Sequence, residues 1–557
     1  MKKFIYFVTA LAGLTSCSDV LTEEPDSYYD AKNFFTSVTN AEMAVMGVYD
    51  VLANLNHYGQ IEMAMPTSDD MYYISGVNTD NTRRDISHYM ISTHNTWLKS
   101  SWMYKYQGID RANFALDGIR KMKEYAEGNE KLKQYEGEVA FLRAFLAADL
   151  VKYWGDVPFK TYYTTTAENA YQPRSNRDVI YDQILADLDL AKTQLPWASA
   201  GSTPERITQG AVRALKMRVL LHKAGYSLKM DGVLSRPDEA TRKQCFDGVI
   251  SEWEAIKENG FHDFHAQSYA ALWEGYSAGV NENKETLWEI AFYTPDGGQQ
   301  DAGAWGTYNG PLTDANSKYG RANAFFFTLP MWKRFYDDQD TRRDVNICQY
   351  MINAKNEKVY LKKNPNTPQN QYWYPGKWRR EWMTGTPKDP NNTDVDLVIL
   401  RYADVVLMAA EALNETNRTA EAIELLNKVR TRAGIASLEP DFSNYEAIYK
   451  APKVLNLDFI DDATDAGKFR TALYWERGFE LCYEGSRKFD LIRWGILQQS
   501  IANIYKEHQA DPLYKFIGLN HYPASQNFVT GKHELFPIPL TEIQRNHKLN
   551  GLNNPLY

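Results

Sequence analysis

Three stretches of the 557-residue chain mix aromatic rings with carboxylates, amides and guanidinium groups, in segments crowded with turn-forming residues. The first holds Asp69, Asp70, Tyr72, Tyr73, Arg83, Arg84, Asn95 and Trp97. The second holds Trp273 and Tyr276, then Asp296, Gln299, Gln300, Asp301, Trp305, Tyr308 and Asn309. The third, residues 372–382, holds Trp373, Trp378, Arg379 and Trp382. A ring with two side-chain torsions can cover a weakly apolar face at small entropic cost, while the polar groups bond a rim of hydroxyls and Arg offers a planar fork. A sugar presents such a face and rim. Loop clusters of this composition are therefore candidate carbohydrate-recognition surfaces. Trp305 is the leading single candidate, because its neighbours Ala304 and Gly306 are expected to leave its face open. Trp102 is expected in the core, because Tyr106 and Ile109 share its helical face.

Signatures of covalent chemistry are missing from the sequence. There is no Gly-x-Ser-x-Gly elbow, His-Glu-x-x-His helix, phosphate loop or dinucleotide glycine fingerprint. His262 and His265 flank Asp263 as a faint metal pattern, but no further ligand is spaced nearby, so neither metal nor cofactor is expected. Carboxylate pairs such as Asp69-Asp70 and Asp337-Asp338 are what any acidic chain offers and do not by themselves indicate a glycosidase.

These loops need a scaffold, and the periodicity supplies helices. Apolar residues recur at helical spacing over 41–55, 102–125, 136–153, 178–194, 209–223 and 242–258. Gly155 sits where a helix C-terminal cap is expected, and Pro158 holds Val157 extended. Thr208 is a candidate N-cap and Gly225 a candidate stop. Residues 401–434 read as helix, polar break and helix over about 34 residues, the tetratricopeptide length. The consensus aromatics of that repeat are missing, so the pairs are divergent. Residues 470–508 read as one more long helical segment and 534–557 as an extended tail. Between the helical blocks, 261–399 reads as a loop-rich insertion with short strands such as 286–292. Its aromatic content argues against disorder. The fold expected is mostly α: a divergent tetratricopeptide-like helix-pair scaffold, about 41–260 and 400–510, carrying that insertion.

The N-terminus carries export chemistry. Lys2 and Lys3 precede an apolar run of eleven residues that ends at Leu14-Thr15-Ser16-Cys17. As a helix the run rises about 16 Å, too short for a hydrocarbon core of about 30 Å. It reads as a signal peptide (1–16) whose last residues resemble a bacterial lipobox, with Cys17 acylated and 17–40 as tether. Each buried methylene contributes about 0.8 kcal/mol, so two or three acyl chains anchor stably. After Cys17 only Cys245, Cys348 and Cys482 remain, allowing at most one internal disulfide. Each is expected to be a buried small hydrophobe. The net charge of −9 argues against a nucleic-acid partner.

Five blocks in order resemble the RagB/SusD family of Bacteroidota outer-membrane nutrient-binding lipoproteins. They are Gly137-Glu138 with Leu142-Arg143-Ala144 and Trp154-Gly155-Asp156-Val157-Pro158; Asp340-Thr341-Arg342-Arg343; Arg401-Tyr402-Ala403-Asp404-Val405 with Leu426-Asn427-Lys428-Val429-Arg430; Glu476-Arg477, Glu480, Glu484-Gly485, Arg487 and Arg493-Trp494-Gly495; and Pro537-Ile538-Pro539 with Asn554-Pro555-Leu556-Tyr557. His547 and Leu556 depart from the pattern in the tail. The blocks read physically as structural. Trp154 to Pro158 is a helix stop with a buried indole, and Glu476, Arg477, Glu480, Glu484 and Arg487 fall at spacings that permit i,i+3 and i,i+4 pairs. The resemblance implies a SusD-like domain over 41–557. It implies a non-catalytic, exterior-facing outer-membrane lipoprotein that binds glycan and delivers it to a SusC-like TonB-dependent transporter. A peptide-binding relative, a glycan-active enzyme and a protein-binding tetratricopeptide adaptor are the rival readings.

Overall fold

The computed structural model describes residues 33–73, 78–293, 301–361, 373–384, 391–449, 457, 459–460, 462–510 and 522–557. Cys17 and the expected leader lie outside them.

Among the described residues, the scaffold is carried by nine helices: α1 Val38–Asp50, α2 Thr96–Lys121, α3 Glu130–Trp154, α4 Arg177–Gln194, α5 Gln209–Ala224, α6 Glu239–Asn259, α7 Tyr402–Glu415, α8 Thr419–Arg432 and α9 Asp465–Leu481. Each packs on its predecessor from α1 to α9, and α6 packs directly on α7 although about 140 residues of chain intervene. Stacked pairs of this kind bury a continuous apolar seam. The region between α6 and α7 leaves the stack and returns to it. Its strand β2 Thr286–Ile290 pairs antiparallel with β4 Leu397–Arg401, which runs straight into α7. Two further short strands, β1 Met71–Tyr73 and β3 Phe326–Thr328, pair antiparallel with Tyr73 opposite Phe326. That pairing joins the first aromatic stretch to the segment that follows the second.

Local chemistry explains the helix ends. Asn95 caps α2, its side chain accepting from the Trp97 and Leu98 amides. Asp238 caps α6 through the Thr241 amide, and Gly260 ends it at φ 68°. Thr208 occupies the cap position of α5, but its hydroxyl bonds no amide there. Gly155 follows α3 at φ 72°, and the fully buried Trp154 donates its Nε1 to the Pro537 carbonyl (3.0 Å).

Two expectations are corrected. Residues 470–508 form three helices, α9, α10 Arg487–Arg493 and α11 Leu497–Ala510. Left-handed Tyr483, Gly485 and Gly495 break the run. The tail is not simply extended: it holds a short helix, Leu540–Arg545, and binds back on α3, with Phe536 N donating to the Tyr153 carbonyl (2.9 Å). Cys245, Cys348 and Cys482 are buried free thiols. No helix among the described residues is long and apolar enough to cross a membrane.

Candidate functional site

The β1–β3 pair and the start of α2 bring three of the candidate side chains together around the guanidinium of a fourth, Arg83. Arg83 opens a short helix, Arg83–Ser87. The Asn95 side chain donates to the Thr82 carbonyl (2.9 Å), and the Thr96 amide donates to the Asn81 carbonyl (2.8 Å), so the first turn of α2 is tied beside Arg83. Tyr308 is placed by the Phe326 amide, which donates to its carbonyl (3.0 Å). The Arg83 guanidinium carbon then lies 4.2 Å from the Phe325 ring centre, 5.4 Å from Tyr73, 5.5 Å from Trp97 and 5.6 Å from Tyr308. Arg83 Nε donates to Tyr73 Oη at 2.8 Å. Among the described residues this is the only hydrogen bond holding the guanidinium, which leaves the terminal fork for a ligand.

Arg83, Trp97, Tyr308 and Phe325 are half-buried, and Tyr73 is buried beneath them. Tyr308 packs on Phe325 with ring centres 4.8 Å apart. Rings around a cation are mutually stabilising and hold the fork in one orientation. The arrangement offers apolar ring surface next to donors suited to vicinal hydroxyls. Phe325 was missed in the sequence reading. It heads the run Phe325-Phe326-Phe327, whose alternation across β3 turns Phe326 inward and leaves Phe325 on the Arg83 side.

The other candidates lie elsewhere, and most are corrected. Trp305 is 3% exposed. Its Nε1 donates to the Tyr58 carbonyl (3.0 Å) and its ring lies 4.9 Å from Trp378. Gly306, at φ 80°, serves a left-handed backbone turn and does not open the indole face. Trp273 and Tyr276 are core residues, 5.3 Å apart, with Tyr276 Oη bonded to Thr286 Oγ1 (2.6 Å). Buried Asn309 accepts from the Gly306 amide (2.9 Å), and Tyr72 packs under β3 against Phe327. Asp69 is buried and paired with both Nε and Nη2 of Arg487 (2.9 Å each). Asp70 accepts from the Tyr483 amide (3.1 Å). Trp373 and Trp378 are buried, and Arg379 is spent on Tyr350 Oη and the Val345 carbonyl. The common reason is packing. The two-stranded ladders of the insertion supply little backbone structure, so large rings must fill its interior. Asp301 is half-buried farther along α2, beside Tyr104 and Arg111, and Gln299, Asp296 and Gln300 lie outside the described residues.

Burial, reinforced by the charge of Asp69, pushes the Asp70 carboxyl up to about 6. A carboxyl raised above its unfolded value costs stability as pH climbs through that value, and the full cost is reached above the folded one. Asp70→Asn is therefore expected to raise the melting temperature at pH 7.5 and to lose that advantage toward pH 4. A flat difference across that range would contradict the assignment.

The residues able to hold a cation are not the histidine pair. His262 is buried, bonds the Lys284 carbonyl (3.1 Å), and is pushed down to about 4 by burial. Instead Glu205, Glu289 and Asp396 bring carboxylate oxygens within 4.8 Å of one another. Burial, then the neighbouring Asp396 and Glu205, raise the Glu289 carboxyl well above the usual range. Hard cations favour such an oxygen set.

A model described as the SusD family matches residues 284–557, and one described as "Starch-binding associating with outer membrane" matches residues 19–221. The chain belongs to the SusD-like family. SusD-like protein P25 of Formosa agariphila is 23% identical, covering 98% of this chain and 97% of its own. SusD-like protein P38 of the same organism is 25% identical, covering 88% and 92%. Among solved structures, a SusD homolog from Bacteroides thetaiotaomicron is 25% identical, with a TM-score of 0.79 over 95% of this chain and 98% of that one. Surface glycan-binding protein A from the same species, in complex with laminarihexaose, is 19% identical, with a TM-score of 0.65 over 93% and 99%.

The SusD-like blocks on α9 and α10 prove to be fasteners, though not the pairs along one helix expected from their spacing. Glu476 binds Arg342 (3.1 Å) and Arg430; Glu480 binds Arg401 (2.6 Å), Arg432 and Arg342; Glu484 binds Arg401 (2.6 Å) and Lys377. Arg477 binds Asp490 (2.8 Å) and Asp404 (2.9 Å). With α9 buried, its charges have no water to fall back on and must meet partners from other elements. Those partners lie on β4, α7, α8, α10 and the insertion. The network thus welds the loop-bearing region to the scaffold, and Arg487–Asp69 extends it to the residues just before β1.

Proposed function

We propose that this chain binds glycan at the Arg83 cluster, without cleaving it, as a lipoprotein anchored through Cys17 on the outer face of the outer membrane. Bound oligosaccharide passes to a SusC-like TonB-dependent transporter. The observation that carries the reading is the convergence of Tyr73, Trp97, Tyr308 and Phe325 on one guanidinium with an open fork. Two similar folds are described as a laminarin-binding SusD-like protein and as a glycan-binding protein with laminarihexaose bound. The model matching residues 19–221 is described as starch-binding. The committed carboxylates support binding over hydrolysis, since Asp69 is held by Arg487 and lies in the core. Lipidation at Cys17 would keep the site within reach of a barrel in the same membrane.

Isothermal titration with laminarihexaose, maltohexaose and a hexapeptide tests the reading. Saccharide binding with no new reducing ends is the expected result. Binding of the peptide alone would favour the rival within the same fold, and sustained release of reducing ends would replace binding by catalysis.

A further inference from the structure

Helix α2 carries a second group of sugar-compatible side chains beyond the Arg83 cluster. Trp97, Ser100, Tyr104, Gln107 and Arg111 recur at spacings of three and four, which places them on one face of the helix. From Trp97 to Arg111 the stripe is about 21 Å long. None of the five is buried. The Trp97 end is the candidate site already described. Toward the other end, the stripe forms one wall of a groove of about 590 Å³ between α2, the end of α1 and the loop bearing Asp301.

The groove is built for hydroxyls flanking one ring. Tyr104 lies flat on the buried His57 ring, with centres 5.6 Å apart and planes 17° from parallel, so the imidazole backs the phenol and fixes its tilt. Ser100 Oγ donates to the Asn56 carbonyl (3.0 Å), which holds the 54–56 loop as a side wall. Arg111 donates to the Gly47 carbonyl (2.6 Å) and to Asp50 (2.7 Å), fixing a polar end whose side chains remain 39% and 58% exposed. Opposite stands Asp301. Among the described residues no hydrogen bond or ion pair holds its carboxylate, whose proton affinity is raised by partial burial and then by Asp50.

We propose that this groove is a second glycan subsite, so that one chain lies along α2 from the Arg83 cluster to Tyr104 and Asp301. The protein then reads an internal stretch of a polymer, not a chain end. The proposal rests on the reading of the Arg83 cluster as a glycan site and adds a length requirement to it. Two linked contacts on one ligand multiply, because the second is made at high effective concentration.

The test uses the full chain with laminaribiose, laminarihexaose, maltose and maltohexaose, by isothermal titration and, for weak disaccharides, ligand-observed NMR. In the series that binds, the hexasaccharide is expected to bind at least about tenfold more tightly than the disaccharide. Tyr104→Ala combined with Asp301→Asn should abolish that gain and leave disaccharide affinity within about twofold. Trp97→Ala should weaken both lengths. Affinity independent of length, or full hexasaccharide affinity in the Tyr104/Asp301 variant, overturns the second subsite and leaves the first standing. If the wild-type chain binds neither series, the glucan reading of the Arg83 cluster fails and the extension falls with it. Thermal unfolding of each variant guards against misfolding. Should Tyr104→Ala lower stability through its contact with His57, Tyr104→Phe with Asp301→Asn keeps the ring and must still lose part of the hexasaccharide gain.

Discussion

Arg83→Ala is expected to weaken oligosaccharide binding about thirtyfold or more, a loss of roughly 2 kcal/mol, while the melting temperature changes little. The substitution removes the fork and also the cation that organises Tyr73, Trp97, Tyr308 and Phe325. Arg83→Lys should recover only a small part, since an ammonium has no planar pair of donors to match neighbouring hydroxyls. Trp97→Ala should lose a comparable amount through the ring surface alone. The sharp contrast is Trp305→Ala. Its indole fills the core and satisfies the Tyr58 carbonyl, so its removal should cost about 3–5 kcal/mol of stability and alter binding only as the fold loosens. Titration calorimetry beside urea unfolding separates the two classes. An Arg83→Ala protein with wild-type affinity would remove the Arg83 cluster from the account.

The second large effect lies away from the ligand. Glu480 is fully buried, and its carboxylate faces Arg401, Arg432 and Arg342. Burial alone would raise its pKa; Arg432, Arg401 and Arg342 outweigh burial and hold the carboxyl well below the usual range. Glu480→Ala strands these arginines in the interior and should cost about 3–5 kcal/mol. A carboxyl depressed in the folded state adds stability above its unfolded value, near 4.3, and loses it as pH falls toward the folded one. The stability gap between wild type and Glu480→Ala should therefore narrow below about pH 4. Urea unfolding at pH 7 and pH 3.5 checks both statements, and equal stability of the two proteins at pH 7 would show that the network is not what joins insertion to scaffold.

Much of the architecture was legible in the chain because helical periodicity is local. The positions of α3 to α8 follow from apolar spacing and from residues such as Gly155 and Gly225 at helix ends. The start of α2 was harder to see. Asn95 and Trp97 read as loop residues rich in ligand chemistry, yet Asn95 is the cap that carries Trp97 onto the first helical turn. Polar residues do both jobs, and only the hydrogen bonds tell them apart.

The candidate site divides along the same line. Residue type alone was enough to mark two distant stretches as aromatic and polar, and Tyr73, Arg83, Trp97 and Tyr308 were all among the residues so marked. Residue type could not separate them from Trp305, Trp273 and Tyr276, because an indole that plugs a core and one that faces a ligand have the same composition and similar neighbours in sequence. Exposure is settled by what the chain folds against it. Here that is the β1–β3 pairing, which sets Phe325 and Tyr308 beside Arg83, and the Trp378 ring that covers Trp305. The sequence by itself determined the helical scaffold and the stock of rings and forks; tertiary contacts between segments far apart in the chain, as Tyr73 is from Phe326, decided which of those rings reach solvent, because burial is a property of packed neighbours and not of any residue's own chemistry.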